Sequence, residues 1–320
     1  MSWRETTLGE ITDLKRGFDL PKSQRLQGDV PVYSSSGITG SNSTAAVEGP
    51  CVITGRYGTI GEVFFSGGPC WPLNTALYST EFNGNNPRFV YYLLQTIPWQ
   101  GYTTASAVPG VNRNHVNLCP VKIPDKATQD AIVEVLDSIV DKNALNNRLN
   151  DYLANLCETI ASRYCNDRNS RLRDICYQVA DHVDYDNANQ ETYVSTESLM
   201  QNKGGRQLAS SLPTTGKITR YKAGDTLISN IRPYFKKIWY APFEGTCSGD
   251  VIVFRANDPS NAPYLHACLR QDSFFDYVMQ GAKGTKMPRG DKKQMMEFKV
   301  ASSCSTKDLI LLDSAIKQRS

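Results

Sequence analysis

CVITGRYGTIGEVFF, residues Cys51 to Phe65, is an apolar run, then three glycines spaced three apart (Gly55, Gly58, Gly61) with Arg56 and Tyr57 between the first two, then a second apolar run. Glycine-rich loops that hold phosphates do so with converging backbone N–H groups, and they join a strand to a helix. Here the residues that follow, Glu62-Val63-Phe64-Phe65, are strand formers. The GK[ST] of a P-loop is missing, as is an acidic residue about 20 positions on in a helix-flanked setting. The stretch therefore predicts a β-hairpin whose turn presents Arg56 and Tyr57, with glycines that permit a tight, twisted connection.

The 320 residues suffice for about two domains, each with its own core. With 40% apolar and 21% charged residues the composition is that of an ordinary globular protein. No apolar run approaches the roughly 18 residues of a membrane span, and the polar start MSWRETTLGEIT does not resemble a signal peptide. A cytoplasmic location is expected. The nine cysteines are odd in number, scattered and never arranged as CxxC, which argues against a disulfide framework or a zinc site. The net charge of +3 is small, but its distribution is uneven. Residues 1–165 hold 13 Lys and Arg against 15 Asp and Glu, and the remainder 22 against 17. The excess positive charge of the second half suits a polyanionic partner without requiring one.

Comparison of the two halves reveals a repeat. Thr226 to Tyr240, TLISNIRPYFKKIWY, has the plan of Cys51 to Phe65: apolar strand, polar turn with one Arg, second strand ending in aromatics. At the same offset, FVYYLL from Phe89 matches YLHACL from Tyr264, both helix-like and both preceded by Asn and Pro. LGEITDLKRG from Leu8 is similar to LRDICYQVAD from Leu172. Each copy ends in a long polar loop, GYTTASAVPGVNRNHVN from Gly101 and GAKGTKMPRGDKKQMME from Gly281, then a strand-like exit and a helix opened by Thr128 or Thr306 as capping residue. The helix after the first copy, from about Asp125 to Arg163, has the steps of a coiled-coil seam in Ile132, Val135, Ile139, Leu149, Leu153, Leu156 and Ile160, interrupted by Lys142 and Asn146. At about 1.5 Å per residue it makes a rod of roughly 55 Å, longer than one turn of B-DNA at about 34 Å.

Two modules of this kind separated by a long amphipathic helix resemble the specificity subunit of type I restriction-modification systems. The resemblance rests on WRETTLGEI from Trp3, VPVYSSSGITG from Val30, VITGRYGTIGEVFF from Val52, WPLNTALYS from Trp71 and IPDKATQDAIVEVLDSI from Ile123, and it extends over essentially the whole chain. It implies an α/β (α+β) fold with two target recognition domains built on mainly antiparallel sheets, residues 1–124 and 166–304. A central spacer helix, 125–165, would pair as an antiparallel coiled coil with a C-terminal helix, 305–320, which is shorter than usual in the family. It further implies that each domain reads half of a split site on double-stranded DNA. The partners implied are methyltransferase subunits, usually two, and through the complex restriction and translocase subunits. Methylation, at adenine in this family, would belong to those partners, with no cofactor held by this chain.

Reading DNA requires Arg for guanine, Asn or Gln for adenine, and cations and hydroxyls for phosphates. The candidates in the first half are Arg56, Tyr57, Thr103, Thr104, Ser106, Asn112, Arg113, Asn114 and His115. Those in the second are Arg232, Tyr234, Lys236 and Lys237, then Lys283, Lys286, Arg289, Lys292 and Lys293 around glycines. Tyr33 to Ser36 is a weaker candidate, because a serine-rich turn is common anywhere. Each of these is also a plain solvated loop residue if DNA is absent. Catalytic patterns are scarce: His115, His182 and His266 have no metal-ligand spacing, and no HExxH or GxSxG occurs. Asn86-Pro87-Arg88-Phe89 resembles the Asn/Asp-Pro-Pro-Tyr/Phe motif of amino-methyltransferases, but Arg88 replaces the second proline and no loop for the methyl donor precedes it. A self-contained methyltransferase or nuclease, and a repeat scaffold indifferent to DNA, are the rival readings.

Overall fold

In a computed structural model of the chain, describing residues 3–103, 110–164 and 169–319, the stretch from Cys51 forms the expected hairpin. Cys51–Gly55 pairs antiparallel with Val63–Ser66, Val52 opposite Phe65 and Ile53 opposite Phe64. The connection, residues 56–62, is longer than a tight turn. Gly58 (φ +80°) and Gly61 (φ +95°) take left-handed conformations within it. The hairpin closes an antiparallel sheet in the order Lys15–Arg16, Ala76–Ser79, Cys51–Gly55, Val63–Ser66. The Cys51 strand is buried at every residue, which explains why its sequence is a continuous apolar run rather than an alternating one. Helix Pro87–Gln95 covers one face through Phe89, Val90 and Leu94, against Val52 and Leu77. Tyr33, Ile53, Cys70 and Tyr78 pack on the other.

The chain separates into two compact units, residues 1–143 and 144–320. The second repeats the plan of the first. Its main sheet runs Cys176–Gln178, Val251–Ala256, Thr226–Ser229, Ile238–Tyr240, again antiparallel, with helix Ala262–Leu269 in the same core. The likeness of LGEI to LRDI is equally physical, since both form a single helical turn, Leu8–Ile11 and Leu172–Ile175. Each follows a strand that pairs with the exit strand of its unit, Arg4–Thr7 with Pro120–Ile123 and Ser170–Arg171 with Lys299–Val300. The Leu8 N–H donates to the Cys119 carbonyl and the Leu172 N–H to that of Phe298, both at 2.9 Å.

Lys126–Arg163 is one continuous helix. Its cap lies earlier than expected, because Asp125 Oδ1, not Thr128, accepts an orphan N–H of the first turn, that of Thr128, at 2.9 Å. Likewise Ser305, rather than Thr306, caps Thr306–Arg319 by accepting the Asp308 N–H at 3.1 Å. Within the second unit these two helices pack antiparallel. Leu312, Ala315 and Ile316 belong to the same buried core as Leu153, Cys157, Ile160 and Ala161, and Asp308 accepts from the Tyr164 hydroxyl at 2.6 Å beside Arg163. The buried row differs from the expected one: Leu156 is exposed and Cys157 is buried in its place, and Val135, Ile139 and Leu149 are exposed too.

Candidate nucleic-acid interface

In the first unit, the chain leaving the buried Cys51 strand is held by its backbone. The N–H groups of Arg56 and Tyr57 both donate to the Thr75 carbonyl (2.9 and 3.2 Å), and the Arg56 carbonyl accepts from the Val111 N–H (2.9 Å). Tyr57 bridges Gly110 as in an antiparallel ladder. A Cβ on Gly110 would lie 2.3 Å from the Tyr57 ring, so only glycine lets the ring settle there. Above the same ring sits the Arg56 guanidinium, 4.6 Å from its centroid. Stacking of this kind orients the planar donor fork without consuming its N–H groups.

These contacts gather five of the expected residues, Arg56, Tyr57, Asn112, Arg113 and Asn114, around a cleft of about 370 Å³. Its wall also contains Arg16, absent from the sequence-based candidates, which stands at the end of strand Lys15–Arg16. Three guanidiniums and no carboxylate line the cleft among the described residues. Asn112 has a structural task as well: its side chain caps the turn Arg113–Val116 by accepting the Asn114 N–H at 3.0 Å. Arg113, Asn114 and His115 are exposed on that turn. Thr103 bridges Val111, and its hydroxyl donates to the Gln100 carbonyl at 2.9 Å. Thr104 and Ser106 lie outside the described residues. Tyr33 belongs to the core rather than to a reading surface, and Ser34 is occupied with its own turn, donating to the Gly37 carbonyl.

The second unit joins the same two segments differently. Arg232 takes a left-handed backbone (φ 50°) and its N–H donates to the Pro288 carbonyl at 2.8 Å. Lys283 and Arg289 exchange both backbone hydrogen bonds at 2.9 Å, which closes residues 283–289 into a small projecting loop. Asp291 caps the turn Lys292–Met295 as Asn112 caps its counterpart, and the N–H groups of Gln294 and Lys293 hold its carboxyl below the usual carboxylate range. Lys286, Lys292 and Lys293 are exposed, as is Tyr234, packed against Phe235 with ring centroids 4.6 Å apart. Other candidates are partly engaged within the unit. Arg289 pairs with Asp250 at 3.1 Å, Lys283 lies 3.5 Å from Asp291, and Lys236 pairs with Asp272 at 2.7 Å. Lys237 donates to the Thr196 carbonyl, and burial lowers its pKa.

The string Asn86-Pro87-Arg88-Phe89 is explained without chemistry. Asn86 caps its helix, accepting from the Arg88 and Phe89 N–H groups at 2.8 and 3.3 Å. Arg88 pairs with Asp137 and stacks on Phe65, Tyr91 and Tyr92. Among the described residues no cluster of His, Cys, Asp and Glu could hold a metal ion, and no helix is long and apolar enough to cross a membrane.

Two units of one plan, with shared strands and differing turns that concentrate Arg and Lys, define a tandem-repeat α/β protein. Residues 1–155 match the model of the type I restriction modification DNA specificity domain. The type I restriction enzyme EcoDI specificity subunit of Escherichia coli is 25% identical over 133 residues, 42% of this chain and 30% of the relative, so the match spans under a third of that protein. The crystal structure of the S subunit of a type I restriction-modification system from M. genitalium has the same fold, with a TM-score of 0.65 at 15% identity over 99% of this chain and 91% of that one. Over its first 155 residues the chain is therefore similar to the DNA specificity domain of type I restriction-modification systems, and its fold over nearly the whole length is that of a solved S subunit.

Proposed function

We propose that the chain is the sequence-reading subunit of a cytoplasmic type I restriction-modification complex. Each unit binds one half of a split duplex site, and the subunit brings partner methyltransferase and restriction subunits to it while performing no chemistry itself. The observation that carries this reading is the cleft of the first unit, where Arg56 is stacked and strapped beside Arg16 and Arg113 with no carboxylate in the lining. A cluster of three guanidiniums in which, among the described residues, only Arg16 has an acid nearby, Asp19 at 3.7 Å, suits guanine edges and phosphates. The second unit adds the exposed ammonium groups of Lys286, Lys292 and Lys293 on the equivalent loop. Methylation mapping of genomic DNA from cells with and without the gene tests the proposal. A split adenine-methylation motif should vanish with the gene; identical methylation in both would refute it. The rival self-contained methyltransferase requires the isolated chain to bind a methyl donor; the engagement of Asn86 in a helix cap and of Arg88 in an ion pair favours the non-catalytic reading.

A further inference from the structure

The second unit contains a cavity of about 510 Å³ lined by none of the residues placed at the candidate DNA surface. Asn150, Asn202, Arg206, Trp239, Arg270 and Arg319 are among its walls. Arg270 is 5% exposed, so its guanidinium has been taken almost wholly out of water. One of its terminal nitrogens donates to the Lys203 carbonyl at 3.1 Å and the other lies 3.7 Å from Glu158. Its Nε is buried with no partner among the described residues, as are the Nε groups of Arg319 and Arg206. Native interiors rarely leave such donors unmade, because each costs about 1–3 kcal/mol and more on a charged group.

The local acids do not supply the missing charge. Glu158 is already shared with Lys203 at 2.9 Å, and Asp151, also in the cavity wall, is exposed. Burial and then the neighbouring Arg319 push Arg270 down to about 10, and burial lowers Arg319 likewise. His266, fully buried in the same wall, is held neutral by burial, Arg270 and Arg319. A buried cation beside a half-buried one that repels it is stabilised when an anion lies between them. The facing wall is firmly set, since consecutive left-handed residues Asn202 (φ 54°) and Lys203 (φ 60°) donate their N–H groups to the Phe235 and Lys236 carbonyls, both at 2.8 Å.

We propose that this cavity binds a small phosphate-bearing molecule, with the phosphate between Arg270 and Arg319 and any organic part against Trp239. Paired guanidiniums match phosphate oxygens, and the volume lies in the range of about 300–1,000 Å³ usual for small-molecule sites, well above what phosphate alone fills.

The test is calorimetric titration of the full chain with adenosine monophosphate, and separately with inorganic phosphate, at ionic strength matched with potassium chloride. Saturable binding with a dissociation constant of about 1 mM or tighter is expected, weakened about tenfold or more in Arg319→Gln. That variant decides the matter because Arg319 is only half-buried, whereas Arg270→Gln endangers the fold; an unchanged thermal midpoint verifies that Arg319→Gln is folded. Tighter binding of the nucleotide than of phosphate, abolished by Trp239→Leu, would place an organic group on Trp239, and equal affinities would identify free phosphate as the occupant. Absence of saturable binding by both probes, or binding indifferent to Arg319→Gln, overturns the proposal.

Discussion

Replacing Arg56 by Ala separates recognition from folding, because the two losses differ in size. Among the described residues the Arg56 side chain forms no hydrogen bond or ion pair; its contact is the Tyr57 ring at 4.6 Å. An exposed cation–π pair contributes about 0.5–1 kcal/mol, so the melting temperature should fall by only a few degrees. The strapping of the backbone by Thr75 and Val111 involves main-chain atoms and survives the substitution. If the fork pairs with a base edge, binding to the specific duplex should weaken by about 1–3 kcal/mol, roughly five- to 150-fold. Fluorescence anisotropy on the specific and on scrambled duplexes, repeated over a salt series, measures both affinity and its origin. A base contact relaxes one half of the site and leaves the salt slope nearly unchanged; a phosphate contact weakens all duplexes alike and lowers the slope by about 0.9. A variant with undiminished affinity and selectivity would refute the assignment of Arg56 to the interface.

Lys286→Ala with Lys292→Ala should weaken binding to every sequence and lower the salt slope by about one to two units in the same assay, since both ammonium groups are exposed on the projecting loop and the turn after it. Arg255→Ala should cost about 3 kcal/mol in denaturant unfolding, because Asp225, 1% exposed, would lose its two charge-assisted bonds at 2.6 and 2.7 Å and remain as a buried carboxylate. Stability should also fall as pH drops below about 6.5. His266 is neutral in the folded chain, its pKa lowered by burial, while the unfolded chain takes up the proton. Thermal unfolding between pH 7 and 5 measures this slope, up to about 1.4 kcal/mol per pH unit, and His266→Gln should flatten it.

The hairpin, the helix at Phe89 and the repeat itself were legible because they rest on local signals: buried apolar strands, an Asn-Pro cap, and one arrangement of elements used in both units. The helix caps were displaced by one to three residues because Asp125 and Ser305 compete with the neighbouring threonines and only geometry chooses between them. Arg16 lies in the repeated LKRG segment, but nothing local indicates that it lines the same cleft as Arg56. The pairing of Lys236 with Asp272 was equally invisible, being a contact between residues 36 apart in sequence. Asn112 reads in sequence as a polar loop residue, and its capping role depends on a helical turn too short to give a periodic signal.

If both units read DNA, each reads a different part of one site. Selection of duplexes from a randomised pool by the intact chain, in parallel with Arg56→Ala and Arg232→Ala, tests it most directly. The unaltered chain should enrich a motif in two parts separated by unread base pairs, with Arg56→Ala relaxing one part and Arg232→Ala the other. Enrichment of no motif, or relaxation of the same part by both substitutions, would contradict it.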